Sequence, residues 1–495
     1  MITIRKKNDV YLEFEGPKGE LMMMSDYFTF EVPGASFIPS VRNKIWDGRI
    51  RLADLRTQQI YVGLIYEIAK FSKDFDVEIE IEGSKYDMPG KDQPLEESFA
   101  EGFLKALDVR SKGQPIEHRD YQVKAFKWAL RKQRGLILSP TASGKSLIVY
   151  SLIRWYREVH ERKILVVVPT VSLVSQMIGD FTDYSNGKFN DVHGITGGVS
   201  KDTDKRVICS TWQSIYKQPA SWFAQFGSVI VDEVHTATAK SLQGIMGKLL
   251  VCPDRIGLTG TLQDAKTHEL VLKGLFGPVE KMITTKELID RKQVSEMSIR
   301  IVQFDYSDED RKICKSLDYQ GEVSFLIEHE KRNEILSKMT QTLPGNTLII
   351  FQRIEHGKRL LELIGEPDGK KVFYIAGETD KESREAMRHL VEANDSIVVA
   401  SLGVFSTGVN IRNLHNLIFA HPSKSKIKVL QSIGRVLRKA DDGKPAVVYD
   451  IVDDLKYGAR DNFALRHAGE RFKHYTNENF DYKINKVELH DRPKT

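Results

Sequence analysis

The stretch ILSPTASGKSLIVYS, residues 137–151, decides the fold expected for this chain. A β-rich apolar run leads into a loop of small residues, and the loop leads into an apolar stretch with helical spacing. This order matches the phosphate-binding pattern G-x-x-x-x-G-K-[ST], except that Ser139 stands at the first glycine position. Gly144, Lys145 and Ser146 keep the part of the pattern that contacts phosphate.

In such a loop, backbone N–H groups and the start of the following helix hold phosphate, the lysine adds a positive charge, and the hydroxyl binds Mg²⁺. The residues expected to bind ATP in this way are Thr141, Ala142, Ser143, Gly144, Lys145 and Ser146, with Ser146 as a metal ligand. The tripeptide Gly-Lys-Ser also occurs by chance. From these residues alone, an ATP site and a chance match are therefore equally open.

The sequence around this loop alternates short β-rich runs with amphipathic stretches. Runs such as ILVVVP and SVIVDE, and later TLIIFQ and SIVVAS, are typical of parallel strands buried on both faces. We expect an α/β protein with two tandem parallel-sheet domains, preceded by a small α+β module. The expected domains are an accessory, DNA-binding domain at 1–95, sheet domains at 110–285 and 295–453, and a helical extension at 454–495.

Two adjacent carboxylates, Asp232 and Glu233, close one of the apolar runs. Carboxylates at the end of a buried strand are costly unless they meet cations, although a solvated strand end is the alternative. We expect Asp232 to hold Mg²⁺ and Glu233 to orient and deprotonate the attacking water. Together with Lys145 upstream, they predict a hydrolase that uses ATP and Mg²⁺.

The stretch VLQSIGRVLRK, residues 429–439, carries the cations expected to complete hydrolysis. Arg435 and Arg438 are three apart and share a helix face, with Gln431 one turn before Arg435. An arginine that reaches the γ-phosphate when two domains close would make catalysis depend on closure. Solvated helix residues are the alternative. In company with the other motifs we predict catalytic roles for all three.

Nine motifs resemble, in order, those of the superfamily 2 helicases of the DExH group, over roughly residues 115–453. They are HRDYQ, SPTASGKS, VVVPTVSLVSQ, CSTWQS, DEVH, LTGT, TLIIFQR, IVVASLGVFSTGVN and QSIGRVLR. The resemblance implies two RecA-like domains. It also implies that Gln122 reads adenine, that Gly408 senses the nucleotide, and that His235, Thr259 and Thr261 couple ATP to the nucleic acid.

The same resemblance implies a set of residues that grip the phosphates of a single strand: Thr170, Thr211, Trp212, Gln213, Arg353, Ser406 and Thr407. Each is a weak prediction by itself. Trp212 fits a core residue as well as one that stacks on a base.

The stretch SVRNKIWDGRIRLAD, residues 40–54, has Asp-Gly between two alternating runs, which is a strong signal for a two-residue hairpin. With Trp46 opposite Arg49, one face would hold Ile45, Ile50 and Leu52. The other face would expose Arg42, Lys44, Trp46, Arg49 and Arg51. This face predicts a surface that grips duplex or branched DNA, and a solvated face with Trp46 packed on arginine stems is the equal alternative.

Composition limits the classes that remain. The net charge is +5, but residues 1–100 carry 13 Lys and Arg against 18 Asp and Glu, so the other residues hold the basic excess. Three cysteines without C-x-x-C spacing argue against a disulfide framework or a zinc module. No apolar run approaches the roughly 18 residues of a membrane span. We expect a cytoplasmic protein, monomeric, with no membrane partner.

We therefore predict an ATP-dependent helicase or translocase that acts on single-stranded, duplex and branched DNA and, by resemblance, on RNA–DNA hybrids in recombination, repair and replication. Two alternatives stay open. One is a duplex translocase that does not separate strands, and the other is a sensor in which ATP only changes the affinity for nucleic acid.

Overall fold

In the computed structural model, the described residues are 1–32, 34–83, 92–237, 239–262, 268–294, 296–377, 395–407, 414–421, 445–477 and 480–489. The chain divides into two compact units. The first holds Met1–Ser139 and Gly144–Met282, and the second holds Pro140–Ser143 and Ile283–Thr495. Among the described residues, no helix is long and apolar enough to cross a membrane.

The N-terminal module is α+β, as expected. Its strands are β1 (Ile2–Lys6), β2 (Tyr11–Glu15), β3 (Thr29–Glu31), β4 (Arg49–Arg51), β5 (Gln59–Tyr61) and β6 (Ile79–Glu82). Its helices are α1 (Lys18–Tyr27), α2 (Pro39–Arg42) and α3 (Ile65–Phe75), with 3-10 turns at Ala35–Phe37 and Val62–Leu64. A mixed sheet of order β5-β2-β1-β6 buries Ile2 and Ile4 against α1 and α3, while β3 and β4 form a separate ribbon.

The rest of the first unit is built on a seven-stranded parallel sheet. Its strands are β9 (Arg134–Leu138), β10 (Lys163–Val168), β11 (Val192–Ile195), β12 (Val207–Thr211), β13 (Phe226–Asp232), β14 (Asp254–Thr259) and β15 (Val279–Lys281), preceded by a small ribbon of β7 (Arg110–Ser111) and β8 (Gln114–Pro115). The helices are α4 (Glu97–Ala106), α5 (Asp120–Lys132), α6 (Lys145–Val159), α7 (Val171–Tyr184), α8 (Trp212–Ile215), α9 (Ala220–Phe223), α10 (Ala239–Met246) and α11 (Glu269–Phe276), with a 3-10 turn at Val234–Thr236.

The strand order β11-β12-β10-β13-β14-β9-β15 places the phosphate loop, Asp232 and Thr259 at the ends of three neighbouring strands. Because all strands are parallel, these ends share one edge of the sheet. Every residue of β13 is buried, which is why its sequence reads as one apolar run rather than an alternating one.

The second unit contains another seven-stranded parallel sheet, of order β18-β19-β17-β20-β21-β16-β22. Its strands are β16 (Met297–Asp305), β17 (Asn346–Phe351), β18 (Lys371–Ile375), β19 (Ser396–Ser401), β20 (Leu414–Phe419), β21 (Ala446–Asp454) and β22 (Tyr482–Glu488). The described helices are α12 (Thr285–Asp290), α13 (Asp308–Lys315), α14 (Tyr319–Glu328), α15 (Glu330–Thr342), α16 (Ile354–Ile364), α17 (Leu402–Thr407) and α18 (Phe463–Asn477). The two parallel sheets confirm the predicted fold class.

The hairpin predicted at residues 40–54 is wrong. Pro39 starts the short helix α2, since its fixed φ suits the first helical position. Asp47 then accepts a hydrogen bond from the N–H of Arg49 (3.0 Å), a local turn that does not bring two strands together. The partner of β4 is β3, where Phe30 lies opposite Ile50. Ile45, expected on the buried face, is 79% exposed.

The segment after α18 also differs from the expected helical extension. Tyr482–Glu488 forms β22, which pairs in parallel with β16 at the edge of the second sheet. A buried ion pair and a hydrogen bond hold the preceding helix on that sheet, because Arg471 binds Asp450 (2.8 Å) and Tyr475 donates to the same carboxylate (2.8 Å). This extension is therefore part of the second sheet domain.

Candidate ATP and nucleic-acid site

The phosphate loop shows why Ser139 can replace glycine. Its left-handed positions are Ala142 (φ +67°) and Gly144 (φ +78°), and Ser139 is not among the positive-φ residues. Ser139 is buried and its N–H donates to the carbonyl of Thr259 (2.9 Å), which fixes the loop's entrance to the neighbouring strand. Gly144 is the N-cap of α6, so backbone N–H groups converge where phosphate would bind.

The charged residues of the predicted site come together. Lys145 Nζ lies 3.5 Å from Glu233 Oε1 and 3.3 Å from the carbonyl of Ser139. Asp232, on the end of β13, is buried, and burial together with the neighbouring Glu233 raises the pKa of its carboxyl to about 7, although Lys145 opposes the rise. Glu233 has a φ of +50°, a costly conformation for a residue with a side chain, and such strain is common at catalytic positions.

The residues present fit Mg²⁺. Ser146 and Asp232 offer the hard oxygen donors that this ion prefers. The raised pKa of Asp232 shows that the buried carboxylate is short of positive charge, which a divalent cation would supply. Among the described residues, no group of three or more His, Cys, Asp or Glu side chains is arranged to hold a metal ion. Mg²⁺ commonly takes most of its ligands from nucleotide phosphates and water.

Gln122, the predicted reader of adenine, is buried at the start of α5 beside the phosphate loop. Its Oε1 accepts the N–H of Arg119 (2.9 Å), and its Nε2 donates to the carbonyl of Gly144 (3.4 Å). A Cβ on Gly144 would lie 2.4 Å from Gln122 Nε2, so this glycine is needed for both its φ and the close approach. The geometry links the amide to the loop that would hold phosphate.

The predicted coupling residues are in direct contact. His235 Nδ1 lies 2.7 Å from Thr259 Oγ1 and 3.3 Å from Glu233 Oε2. Since Thr259 Oγ1 donates its one hydrogen to the carbonyl of Thr261 (3.0 Å), it accepts from His235, which fixes the proton on Nδ1. Thr259 therefore connects the carbonyl of Thr261 to the histidine that lies beside Glu233.

The predicted nucleic-acid contacts of the first unit lie on the same sheet edge, beyond the ATP site. Thr170 caps α7, its Oγ1 accepting the N–H of Leu173 (3.3 Å), and Thr211 Oγ1 lies 2.9 Å from Ser214 Oγ. Gln213 is exposed. From β10 to β9 there are three strand spacings, roughly 14 Å, so both ligands could share this edge.

Trp212 does not fit its predicted role in stacking on a base. The indole is 7% exposed and belongs to the hydrophobic core of the first unit. The residue follows β12 directly, and the first turn of α8 points its ring inward. Of the motif CSTWQS, Thr211 and Gln213 stay candidates for contact with nucleic acid.

In the second unit, Arg353 follows β17 on the carboxyl edge of its sheet. Its guanidinium donates to Ser324 Oγ (2.9 Å) and Gln320 Oε1 (2.6 Å). Next to it is a cavity of about 620 Å³, lined by Ile327, Glu328, Arg353, Glu355, His356 and Arg359. Arg353 is therefore both held in place and open to a ligand.

Several predicted residues cannot be placed. Ser406 and Thr407 lie in α17, and the structure does not describe their side chains. Gly408, Gln431, Arg435 and Arg438 lie outside the described residues. Their roles stay predictions.

A second cavity was missed by the sequence analysis. It measures about 480 Å³ and lies beside Ser214, lined by Thr196, Gly197, Gly198, Val199, Ser200, Lys201, Asp202, Ser214 and Gln218. The available signal was the Gly197-Gly198 pair, separated from the end of β11 by one residue, since paired glycines let backbone approach a ligand closely. The position extends the edge marked by Thr170 and Thr211.

The predicted cations of the N-terminal module remain on the surface despite the different backbone. Arg42, Lys44, Arg49 and Arg51 are exposed, and Trp46 is half-buried. The indole Nε1 of Trp46 donates to the carbonyl of Arg49 (3.0 Å). Arg51 pairs with Asp47 (2.6 Å), and this guanidinium lowers the pKa of the aspartate.

A phosphate loop, a DExH strand end and a coupled histidine on one sheet edge, with a second parallel-sheet domain downstream, define an ATP-driven nucleic-acid motor of the superfamily 2 helicase class. Family models match in the same order: "DNA helicase UvsW, N-terminal" at residues 2–82, "Type III restriction enzyme, res subunit" at 115–264, and "Helicase conserved C-terminal domain" at 330–440.

Similar proteins point to one family. The ATP-dependent DNA helicase uvsW of Enterobacteria phage T4 is 37% identical over 484 residues, which cover 94% of this chain and 95% of the relative. A crystal structure of T4 UvsW aligns with a TM-score of 0.54 and 35% identity, covering 99% of this chain and all of that one. The DNA 3'-5' translocase XPB2 of Sulfurisphaera tokodaii is 26% identical, covering 68% of this chain and 82% of its own.

The chain belongs to the UvsW family of ATP-dependent DNA helicases. The predicted resemblance to the DExH helicases and the predicted enzymatic class are confirmed.

Proposed function

We propose that this helicase acts on branched DNA and on RNA–DNA hybrids, in recombination, repair and replication, and hydrolyses ATP with Mg²⁺ as its metal. The observation that carries the proposal is that a module with exposed cations is fixed directly on the unit that holds the ATP site. A motor that only tracks a single strand does not need a second basic surface beside it.

Four contacts support a fixed position of the module. The ring of Phe30, on the ribbon strand β3, stacks on His268 with centroids 3.7 Å apart. Glu67 pairs with Lys273 (2.8 Å). Tyr61 accepts from Gln243 Nε2 (3.3 Å), and Gly63 lies so close to α11 that a Cβ there would be 2.2 Å from the Lys273 carbonyl. A duplex held by Arg49 and Arg51 would keep its place relative to the motor.

For hydrolysis, residues of the first unit hold and activate the reactants. Backbone N–H groups of the phosphate loop and Lys145 bind the phosphates, and Glu233 takes the proton from the attacking water. A Mg²⁺ ion bound by Ser146 and Asp232 would neutralise charge on the phosphates. His235, held by its hydrogen bond to Thr259, lies beside Glu233, with its Nδ1 3.3 Å from Glu233 Oε2.

Residues of the second sheet domain complete the proposal. We assign Gln431, Arg435 and Arg438 to the γ-phosphate, Gly408 to sensing of the nucleotide, and Arg353, Ser406 and Thr407 to the strand. A monomer is proposed as the working unit. The DNA substrate supports a cytoplasmic location, in the host cytosol for a phage-encoded chain.

The test compares strand release and ATP hydrolysis on a fork, a four-way junction, an RNA–DNA hybrid and a plain duplex, for the wild type and for Arg49→Glu/Arg51→Glu. The variant should bind the fork and the junction at least about tenfold more weakly at moderate salt. It should keep hydrolysis stimulated by single-stranded DNA. If both arginines contact phosphates, the slope of log affinity against log salt should fall by about 2.

The matched control is Lys70→Glu/Lys73→Glu, which reverses two exposed charges on α3 of the same module. It should leave binding of branched DNA close to the wild type. Equal weakening by both pairs would mean that net charge, not the ribbon surface, sets affinity. Strand release by the wild type would identify a helicase. A translocase, the activity that the name of the Sulfurisphaera relative gives, would hydrolyse ATP without releasing a strand, and so would a sensor.

A further inference from the structure

Tyr184 makes a contact at the metal-binding end of the phosphate loop that the hydrolysis scheme above does not use. Its phenolic oxygen lies 2.8 Å from Ser146 Oγ, the hydroxyl assigned to Mg²⁺. Tyr184 is the last residue of α7, and Ser146 is the second residue of α6. We infer that Tyr184 is a positioning residue, which holds the Ser146 hydroxyl in the orientation that binds Mg²⁺.

The chemistry of two hydroxyl groups explains how this contact can serve a metal ligand. A serine hydroxyl has one hydrogen and two lone pairs. When Ser146 donates its hydrogen to the oxygen of Tyr184, both lone pairs stay available for a cation. A ligated hydroxyl also becomes a stronger donor, so the hydrogen bond to Tyr184 strengthens as the metal binds. Without an acceptor, the serine would rotate among its rotamers.

The ring of Tyr184 is well fixed. It packs against Tyr150 with centroids 5.7 Å apart, and Tyr150 packs in turn on Phe181 (5.9 Å) and Phe189 (5.8 Å). The preceding residue, Asp183, accepts the backbone N–H of Lys112 (2.8 Å), which ties down the end of the helix. A side chain held in this way can orient a partner without further loss of entropy.

The position of Tyr184 also connects the metal site to the start of α7. The helix that ends at Tyr184 begins after Thr170, which caps it and is assigned to the nucleic-acid strand. Its 14 residues span roughly 21 Å as one rigid element. A displacement of Thr170 by a bound strand would therefore reach the Ser146 hydroxyl.

The inference rests on the proposed Mg²⁺ site, and its test measures metal-dependent nucleotide binding rather than turnover alone. The variant is Tyr184→Phe, which keeps the ring and removes only the oxygen. The matched control is Tyr150→Phe, whose hydroxyl accepts from Arg154 (2.9 Å) and belongs to the neighbouring ring. Binding of a fluorescent ATP analogue is titrated with Mg²⁺, and the melting temperature is followed with ATP in EDTA and with Mg²⁺.

Tyr184→Phe should need roughly two- to tenfold more Mg²⁺ for half-maximal nucleotide binding, the range expected for one lost hydrogen bond. Binding in EDTA and the rate at saturating Mg²⁺ should stay near those of the wild type. Tyr150→Phe should need the wild-type concentration. In a Ser146→Ala background, Tyr184→Phe should have no further effect, because Tyr184 acts through Ser146.

Three outcomes would overturn the inference: an unchanged Mg²⁺ requirement in Tyr184→Phe, an equal change in Tyr150→Phe, or additive effects in the double variant. A wild type whose nucleotide binding does not depend on Mg²⁺ at all would instead overturn the proposed metal, and with it the basis of the inference.

Discussion

The buried carboxylate of Asp232 is expected to destabilise the protein without nucleotide, so that Asp232→Asn should fold more stably and yet be inactive. Burial and the neighbouring Glu233 raise the pKa of Asp232 from its ordinary value of 3.8 to about 7. A carboxyl whose pKa is higher in the folded state binds its proton more tightly there. The stability that it contributes is complete below about pH 3.8 and is lost as the pH rises toward 7.

The magnitude follows from these two pKa values. A rise from 3.8 to about 7 corresponds to roughly 4 kcal/mol once the group is fully ionised in both states. Between pH 5 and pH 8, the part still to be lost is roughly 2 to 3 kcal/mol. The amide in Asp232→Asn cannot ionise, and its oxygen can still accept the Glu233 N–H that now lies 2.9 Å away. The advantage of the variant over the wild type in free energy of unfolding should therefore grow by that amount between pH 5 and pH 8.

The assay is thermal melting of both proteins without nucleotide from pH 5 to pH 9. The difference in melting temperature should widen as the pH rises and level off above about 8. Addition of Mg²⁺ and ATP should raise the melting temperature of the wild type and leave that of the variant nearly unchanged, because the variant lacks the carboxylate that would bind the metal. ATP hydrolysis by the variant should fall by at least about 100-fold.

Asp254→Asn is the matched control. Asp254 is buried at the opposite, amino-terminal end of the neighbouring strand, and burial raises its pKa to about 7 as well. The control should show a similar pH-dependent gain in stability and keep ATP hydrolysis. The reasoning fails if Asp232→Asn melts at or below the wild-type temperature throughout this pH range, since the ionised carboxylate would then be compensated by charges already in the protein.

Two further predictions concern single charges. Lys145→Ala should keep the fold, as judged by circular dichroism, and lower the steady-state rate of ATP hydrolysis by at least about 100-fold, because the loop loses its charge at the phosphates; loss of solubility would show that the lysine is structural. Arg332→Met should lower the free energy of unfolding of the second unit by about 3 to 5 kcal/mol in urea, because buried Asp453, now 2.7 Å from Arg332 Nε, would lose its cation. Arg359→Met, which removes two pairs exposed to solvent, should cost under about 1 kcal/mol; equal costs would contradict the argument from burial.

The ATP half of the site could be predicted because its information is local. The loop that carries Lys145 and the strand that ends in Asp232 are short runs whose chemistry shows directly in the sequence. Because the carboxyl ends of parallel strands lie at the same edge of a sheet, the two motifs come together there. Even the departure at Ser139 is explained locally, since the left-handed positions are Ala142 and Gly144.

The predictions were wrong where contacts with a distant segment of the chain decide between two conformations that the local sequence allows. Asp47-Gly48 favours a hairpin by itself, but Phe30, far back in the chain, lies opposite Ile50 and takes the place that the hairpin would have given to Ile45. Likewise Trp212 could be exposed or buried from its sequence neighbours, and only the core of the first unit decides that it is buried. Tyr184 carried no signal, because nothing in its own stretch shows that Ser146 is within reach.

The stacking of Phe30 on His268 joins two parts of the chain that the sequence treats separately. His268 follows the LTGT motif along the chain and caps α11, with its Nδ1 3.2 Å from the N–H of Leu270. Phe30 lies on the ribbon strand that pairs with Arg49 and Arg51. The basic ribbon is therefore in direct contact with the first sheet domain. Phe30 contacts His268, which follows Thr261 along the chain, and the carbonyl of Thr261 accepts a hydrogen bond from Thr259, whose hydroxyl lies 2.7 Å from His235 Nδ1. A duplex bound to the ribbon and a phosphate in the loop would act on the same short stretch of chain, which is the physical requirement for coupling between them.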